Sequence, residues 1–271
     1  LNELDELRES IRGKVHSLAH EEDVHHRFNS VEWLLDQLAY EENTLRPVMV
    51  DLGVVPPLVA HIGTFARTPV NERAPGAEDL AQHELLLLGE LAHEYETCEH
   101  LLEVDAVPSL VAIMGFAATP DLRSCAVVAL SGLLHHQKIG KPSLDGRIVQ
   151  NVLDCHPLVS FMSILNAGRG EGGDVGRYAV IRCLSKLSQD EFNSQRVVEA
   201  GLLEPLIALL IDDSSSPSPK VRESVMTVLC ALSDWPAPRN AICRTNVIPA
   251  LIEALGTRCA FRVLHANDRE P

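Results

Sequence analysis

The sequence predicts an all-α solenoid of about five repeated units, and three observations carry this prediction. A phrase with a turn residue, a nearby proline and a Leu-Val or Leu-Ile pair occurs five times in the 271 residues. Between the copies, apolar residues recur at positions i, i+3, i+4 and i+7, the period of an amphipathic helix. No window shows the sustained period-2 alternation of a strand. Because one small helical unit cannot bury its apolar face alone, we expect the units to stack around a shared core.

The five copies of the phrase set the register of the units. They occupy residues 53–62, 105–114, 153–162, 201–210 and 246–255. One leucine in each copy is expected to anchor the core, namely Leu58, Leu110, Leu158, Leu206 and Leu251. The spacings between these leucines are 52, 48, 48 and 45 residues. Helical repeats typically span ~40–47 residues, so we expect some units to contain inserted loops.

Each unit is expected to contain a short, a medium and a long helix. The long helix is clearest at residues 219–234, and its periodicity is shared by residues 80–95, 121–136 and 174–188. A short helix at 193–200 leads to Gly201, and glycine there fits the left-handed turn that ends many helices. The proline that follows the turn suits the first turn of the medium helix, because an N–H is not needed there.

The ends of the array are expected to differ from its interior, because terminal repeats need a polar outer face. We expect residues 1–20 to form an N-terminal capping helix, residues 21–256 the repeat solenoid, and residues 257–271 a C-terminal cap or tail. The chain starts at Leu1, which suggests that further residues precede it. The Ser-Pro pairs of the connector 212–219 are interpreted as a solvated loop rather than as a phosphorylation site.

The pattern of residues 193–234 resembles the armadillo repeat. The match consists of VVEAGLLEPLIALL followed by VRESVMTVLCALS, and the weaker resemblance extends over residues 22–256. It implies a right-handed α-solenoid of about five armadillo-like repeats that binds other proteins. The second and third copies depart from the family pattern, since Asp105 and Leu153 stand where glycine is usual. The turn geometry at these two places is therefore left open.

The charge of the chain is concentrated near its beginning. The formal net charge is -15, and residues 1–100 hold 20 Asp or Glu against 7 Lys or Arg, whereas residues 101–271 hold 18 against 16. Nucleic-acid binding requires clustered Lys and Arg, so this balance disfavours it. An anionic membrane surface is disfavoured for the same reason. No uncharged apolar run reaches the ~18 residues of a transmembrane helix, so membrane insertion is not expected.

The seven cysteines are scattered and contain no C-x-x-C pair. This odd number at irregular spacing fits neither a disulfide framework nor a zinc ribbon. Most lie among aliphatic residues, where a free cysteine behaves as a small hydrophobe. We therefore expect a reducing compartment and a cytoplasmic protein.

No motif in the sequence points strongly to chemistry. Residues 168–173 fit G-x-G-x-x-G, but a dinucleotide site needs a preceding strand in a βαβ unit, so an inter-helix loop is favoured. His16, His20, His25 and His26 lie near acidic residues but do not form H-E-x-x-H, and a solvated helix is favoured over a metal site. No Walker loop, nucleophile elbow or kinase signature occurs. We expect no cofactor and no enzymatic activity.

The armadillo resemblance implies that the long helices line a concave groove. Importin-type members carry a Trp-x-x-x-Asn pair on each such helix, and here only Trp33 and Gln37 approach that pair. Core packing is the favoured interpretation of Trp33. Arg182 and Lys186 predict a locally basic stretch farther along. The partner-binding residues expected in the groove are Trp33, Gln37, Glu90, Arg182, Lys186 and Asp234.

The expected function is a non-catalytic scaffold that binds a protein partner, and a basic segment of that partner could meet the acidic N-terminal third. Two alternatives stay open. Residues 225–243 resemble the last repeat of the cytosolic armadillo-type nucleotide-exchange factors of the chaperone Hsp70, which implies a co-chaperone. A structural subunit of a large assembly fits the absence of a catalytic motif equally well.

Overall fold

The computed structural model describes residues 2–20, 23–40, 42–93, 95–116, 119–135, 142–167, 173–211, 219–245 and 247–249. Over these residues the chain is α-helical, with one 3-10 turn at Val70–Glu72 and no strand. The helices are α1 Asn2–His20, α2 Val24–Tyr40, α3 Glu42–Asp51, α4 Val55–Arg67, α5 Ala77–Leu91, α6 Tyr95–Glu103, α7 Ala106–Phe116, α8 Pro120–Leu134, α9 Pro142–Asp154, α10 Leu158–Asn166, α11 Gly173–Leu187, α12 Glu191–Glu199, α13 Leu203–Ile211, α14 Pro219–Ser233 and α15 Pro236–Arg244.

Helices α3 to α14 form four consecutive triplets of a first, a second and a third helix. The third helices pack against one another in the order α2, α5, α8, α11 and α14, and we name them the third-helix layer. The second helices pack in the order α1, α4, α7, α10 and α13, and we name them the second-helix layer. This arrangement confirms the predicted all-α solenoid. The fifth copy of the phrase lies mostly outside the described residues, as do Leu251 and the segment 257–271.

One apolar core runs through the stacked units. It extends from Ile11 in α1 to Val247 after α15, and it consists almost entirely of leucine, valine, isoleucine and alanine. The predicted anchors Leu58, Leu110 and Leu206 are all buried in it. Because every unit shares its apolar surface with the next, the core is continuous instead of being divided into separate domains.

The turns between first and second helices correct the predicted register of the third unit. At these turns the residues with left-handed backbone are Gly53, Asp105, His156 and Gly201, with φ of 83°, 53°, 54° and 78°. Aspartate therefore takes the glycine position in the second unit, which asparagine and aspartate tolerate better than most residues. In the third unit the turn residue is His156, and Leu153 is a buried residue of α9.

This shift also moves the anchor of the third unit. The anchors Leu58, Leu110 and Leu206 each lie five residues after the turn residue of their unit. In the third unit, the residue five positions after His156 is Phe161. Phe161 is completely buried, whereas the predicted anchor Leu158 is only half-buried. The prediction of Leu158 was wrong because α9 continues to Asp154, so the turn comes three residues later than the sequence match placed it.

Arginine side chains hold the carboxyl-terminal ends of second-layer helices. The guanidinium of Arg27 donates to the carbonyl oxygen of Leu18 near the end of α1, and that of Arg177 donates to the carbonyl oxygen of Ala167 after α10. The Nε of Arg73 donates to the carbonyl oxygen of Thr68, after α4, at 3.2 Å. The last carbonyls of a helix lack partners within it, and a cation there is favoured by the helix dipole.

The third helices approach one another closely where their residues are small. A Cβ atom on Gly132 of α8 would lie 3.1 Å from the carbonyl oxygen of Gly89 in α5. A Cβ atom on Gly176 of α11 would lie 2.6 Å from the hydroxyl of Ser124 in α8. Both contacts are tighter than normal van der Waals distance, so side chains larger than hydrogen do not fit without movement.

The six cysteines in the described part of the chain are all free thiols. Cys98, Cys125 and Cys183 are buried, as expected of core residues. Cys230 and Cys243 are exposed, so the prediction that cysteines fill the core holds for only part of the set. Among the described helices, none alone has the length and apolar character of a membrane span, although two bent helix pairs meet those criteria together.

Candidate partner-binding face

The third-helix layer has one stripe of side chains that no other helix covers. In α5 the buried face includes Leu80, Leu85 and Leu88, while Leu86 and Glu90 stand one turn apart on the exposed stripe. The helical period explains this division, since residues four apart lie on the same face. Exposed or half-buried residues recur at this helical spacing on α11 and α14, whereas most of α8, which packs between α5 and α11, is buried and its Val128 is half-buried.

The charge of the third-helix layer changes sign along the array. Helix α5 contains four carboxylates and neither Lys nor Arg: Glu78, Asp79, Glu84 and Glu90. Helix α11 contains three bases and one carboxylate: Arg177, Arg182, Lys186 and Asp174. The excess of acid in the N-terminal third is therefore not spread evenly over the solenoid, and the layer carries opposite charge toward its two ends.

Trp33 and Gln37 lie on α2 and are both half-buried. The Nζ of Lys14 in α1 lies 5.8 Å from the centre of the Trp33 ring. The ring therefore contacts the neighbouring helix of its own hairpin. On the opposite side of α2 from buried Leu38, the exposed residues are Asp36 and Tyr40, and Tyr40 is 85% exposed.

Glu90 takes part in an ion pair within the fold. Its Oε2 accepts a hydrogen bond of 2.9 Å from the guanidinium of Arg46 in α3. The Arg46 side chain is 5% exposed and that of Glu90 is 48% exposed. A buried guanidinium without its partner is strongly unfavourable, so Glu90 compensates the charge of Arg46 in addition to lining the exposed stripe.

A buried network beneath the acidic end was not anticipated from the sequence. Glu84 of α5 is fully buried, and its two carboxylate oxygens contact different helices. Oε1 accepts from the Arg27 guanidinium of α2 at 2.8 Å, and Oε2 lies 2.6 Å from Nδ1 of His61 in α4. The three side chains join α2, α4 and α5. Their separation of up to 57 positions gives no local sequence signal.

The basic part of the layer lies on α11 and α14. Arg182 and Lys186 are one turn apart on α11 and both are half-buried. The Nζ of Lys220 in α14 lies 4.7 Å from the centre of the Tyr178 ring in α11, a cation–π contact between neighbouring helices. Asp234 is exposed just after α14, and its carbonyl oxygen accepts a hydrogen bond from Arg239. Five of the six predicted groove residues thus lie on helices of the third-helix layer, distributed along it, and Asp234 directly follows the last of these helices.

The histidines near the α1–α2 corner contact one another and the backbone. The rings of His16 and His20 stack with centroids 4.2 Å apart, and Nδ1 of His20 lies 3.0 Å from the carbonyl oxygen of His16. The backbone N–H of His26 bonds to the Asp23 carboxylate, which lowers the pKa of Asp23 below its ordinary value. In the described ranges, no three His, Cys, Asp or Glu side chains come together as metal ligands would.

Two further sequence features fall largely outside the described residues. Of the glycine-rich segment 168–173, the structure describes only Gly173, the first residue of α11. The Ser-Pro segment 212–219 is described only at Pro219, where α14 begins. The interpretation of both segments as loops therefore stays a prediction.

An open cavity of about 590 Å³ lies between the beginnings of α2 and α5. Its walls include Val24, Phe28 and Pro75, and its rim includes the carboxylates of Asp23 and Asp79. The cavity adds apolar surface beside acidic groups at the acidic end of the third-helix layer. It suits contact with an amphipathic or basic side chain.

Comparison with known proteins identifies the fold. No protein-family model matches the chain, and no curated protein matches it. A designed armadillo repeat protein is similar in structure, with a TM-score of 0.72 and 17% identity, over 90% of this chain and 91% of that one. A second designed armadillo repeat protein, solved in complex with the peptide (KR)4, has a TM-score of 0.71 and 17% identity, over 90% of each chain.

A third similar structure consists of computationally designed armadillo repeat proteins for modular peptide recognition. Its TM-score is 0.71 at 17% identity, over 90% of this chain and 91% of that one. These similarities cover nearly the whole described solenoid and confirm the armadillo-like architecture that residues 193–234 had predicted.

Proposed function

We propose that this chain, an all-α solenoid of the armadillo type, is a non-catalytic protein-binding module that uses the exposed stripe of its third-helix layer. Armadillo solenoids act typically as binding scaffolds, and the similar structures include proteins designed to recognise peptides. An extended solenoid face suits an elongated partner, because stacked repeats create long binding surfaces.

The observation that carries the proposal is the change of charge along the layer. On α5, Asp79 and Glu90 are exposed and Glu78 is half-buried, whereas on α11 Arg182 and Lys186 are half-buried beside exposed Asp174, so the side chains at the surface carry opposite charge toward the two ends of the layer. Complementary charge steers encounter and fixes the register of a partner. The partner best suited to this surface has a basic segment that meets α2 and α5, followed by an acidic segment that meets α11 and α14.

The test is affinity capture from cell extract by the purified chain, followed by mass spectrometry and repeated with charge-reversed variants. Asp36→Lys changes the exposed stripe of the acidic end, and Glu204→Lys makes the same change at an exposed position of α13 in the second-helix layer. We expect Asp36→Lys to weaken capture of the partner and Glu204→Lys to leave it unchanged. Equal capture by both variants would contradict binding through the third-helix layer.

Glu90 is unsuitable for this test because its reversal would also leave Arg46 buried beside a positive charge. Asp234 is better placed, since its side chain is exposed and its backbone makes the hydrogen bond to Arg239. Asp234→Lys therefore probes the far end of the layer without removing a buried ion pair.

Two narrower functions remain proposals. Exchange-factor activity on Hsp70 rests on residues 225–243, which form the end of α14 and most of α15, with Nε1 of Trp235 donating to the carbonyl oxygen of Ser188. It predicts faster release of ADP from Hsp70 when the purified chain is added, and no change at micromolar concentration would exclude it. Incorporation into a large assembly predicts instead that the chain purifies only with fixed partners.

We also propose a reducing, cytoplasmic location. The six described cysteines are free, and Cys230 and Cys243 are exposed where an oxidising compartment would act on them. Microscopy of the tagged natural protein would test the location.

A further inference from the structure

Apolar residues that are at least partly exposed form a slanted row across the third-helix layer, and Val175 of α11, which is 58% exposed, lies beside the α11 member of that row. Four successive third helices contribute Tyr40 of α2, Leu86 of α5, Val128 of α8 and Tyr178 of α11. Tyr40 is 85% exposed, Leu86 is 36% exposed, and the other two are half-buried. Isolated apolar residues on a surface are normal, but here each of four neighbouring helices of one layer contributes one, and we name this row the track.

The positions of these residues along their helices define the slant. Tyr40 is the last residue of α2, Leu86 precedes the end of α5 by five residues, and Val128 precedes the end of α8 by six. Tyr178 precedes the end of α11 by nine residues. Relative to the helix ends, the track therefore moves toward the beginnings of the helices from α2 to α11, by five, one and three residues at its successive steps.

The spacing of the track matches the geometry of an α-helix. Packed helices lie about 8–10 Å apart, and seven residues of an α-helix rise about 10.5 Å. A helix lying along the track would present one apolar residue to each third helix if its apolar residues recur every seven positions. An extended strand places same-face residues about 6.6 Å apart and does not stay in register with the track.

Resting on the protein-binding function proposed above, we propose that the occupant of the third-helix layer is an amphipathic α-helix of about 22 residues. Its apolar stripe lies on the row from Tyr40 to Tyr178. Its basic end lies over α2 and α5, where Asp36 and Glu90 are exposed, and its acidic end lies over α11 and α14, where Arg182 and Lys220 are placed. This is helix-in-groove recognition with the direction of the helix fixed by charge.

The test uses three synthetic peptides of equal length and composition with a fluorescent label. The first has leucine on one helical face, lysines in one half and glutamates in the other, with proline only at its ends. The second alternates lysine and glutamate along the polar face. The third moves the prolines into the centre, which breaks the helix. Binding is measured by fluorescence anisotropy against the full chain, and peptide helicity by circular dichroism.

We expect the first peptide to bind at least about tenfold more tightly than either of the others. Tyr40→Glu and Leu86→Glu should each weaken its binding about tenfold, since each places a charge under the apolar stripe. Phe192→Glu and Val159→Glu are the matched controls, because these residues are 68% and 77% exposed on helices outside the third-helix layer. These controls should bind the first peptide as the unchanged chain does.

If the centre-proline peptide binds equally well, the occupant is not helical. If the control variants weaken binding as much as Tyr40→Glu and Leu86→Glu do, the peptide does not bind along the track. The proposed function fails in a different way. If capture of a natural partner responds to Asp36→Lys while no peptide binds, the protein-binding function stands and the helical occupant is wrong. If neither partner nor peptide binding responds to any third-layer variant, both proposals are wrong.

Discussion

Removing the buried carboxylate of Glu84 should destabilise the N-terminal end of the solenoid severely. The Arg27 side chain is 7% exposed, and Glu84 is its carboxylate partner at 2.8 Å. In Glu84→Ala the guanidinium keeps its contact with the Leu18 carbonyl but loses its counter-charge. Breaking a buried ion pair in this way costs about 3–5 kcal/mol. His61 also loses the acceptor that lies 2.6 Å from its Nδ1.

The assay is urea unfolding followed by circular dichroism, with the midpoint and slope compared between variants. Glu9→Ala is the matched control, because Glu9 and Arg12 form an ion pair whose side chains are 69% and 60% exposed. An exposed pair contributes at most about 1 kcal/mol, so the control should barely move the midpoint.

A second variant separates loss of charge balance from loss of packing. Arg27→Met together with Glu84→Leu removes both charges and keeps the site filled. Replacing a whole buried pair by apolar groups is often neutral or stabilising, so the double variant should recover most of the loss. The reasoning would be refuted if Glu84→Ala cost less than about 1 kcal/mol, or if the double variant were as unstable as the single one.

Four further predictions concern the backbone and the thiols. Gly89→Ala should stabilise the chain by about 0.5–1 kcal/mol through helix propensity, because its added Cβ meets neighbours at an ordinary 3.6 Å. Gly176→Ala should destabilise it by about 1–3 kcal/mol in the same urea assay, because its Cβ would lie 2.6 Å from a serine hydroxyl. Asp105→Gly should increase the free energy of unfolding by about 1 kcal/mol, since Asp105 has φ of 53°. An unchanged urea midpoint would contradict backbone strain at Asp105. Burial raises the pKa of Cys183 from 9.0 to about 12, so folding favours its neutral thiol. The folded chain therefore keeps its full stability below about pH 9 and loses stability as pH rises from 9 toward 12, because Cys183 binds its proton more tightly when folded than when unfolded. Exposed Cys230 should be alkylated at pH 8 while Cys183 is protected, and equal alkylation rates would contradict the burial.

Helix periodicity was sufficient to predict the fold, because it is a local property repeated along the chain. Residues 219–234 show an apolar stripe on their own, and α14 occupies Pro219–Ser233. The requirement that such helices share one core then leaves few arrangements other than a stack. The turn residue Gly201 was located correctly for the same reason, since glycine signals left-handed backbone directly.

The third unit shows where sequence matching fails. The residues Pro-Leu-Val at 157–159 imitate the first copy of the phrase, but the backbone turns at His156, which carries no glycine signal. What decides the register there is the burial of Phe161 against neighbouring helices. That burial depends on how units stack and cannot be deduced from a ten-residue window.

The candidate site was predictable only in outline. The charge difference between the two ends follows from counting residues, and the helical period identifies which of them share a face. The pairings were not predictable, because Glu84 meets Arg27 and Glu90 meets Arg46 only after helices from different units are brought together. The contact of Lys14 with Trp33 likewise depends on the packing of the α1–α2 hairpin.

The small residues between α5, α8 and α11 also act on the shape of the whole array. Gly89, Gly132 and Gly176 thin the third-helix layer, whereas the neighbouring core carries large side chains such as Phe161. A unit that is thinner on one side is a wedge, and stacked wedges produce an arc whose radius depends on the difference in thickness. Adding a methyl group at Gly132 would straighten that arc and change the distance between the acidic and basic ends. Affinity for a rigid partner would then change through residues that never touch it.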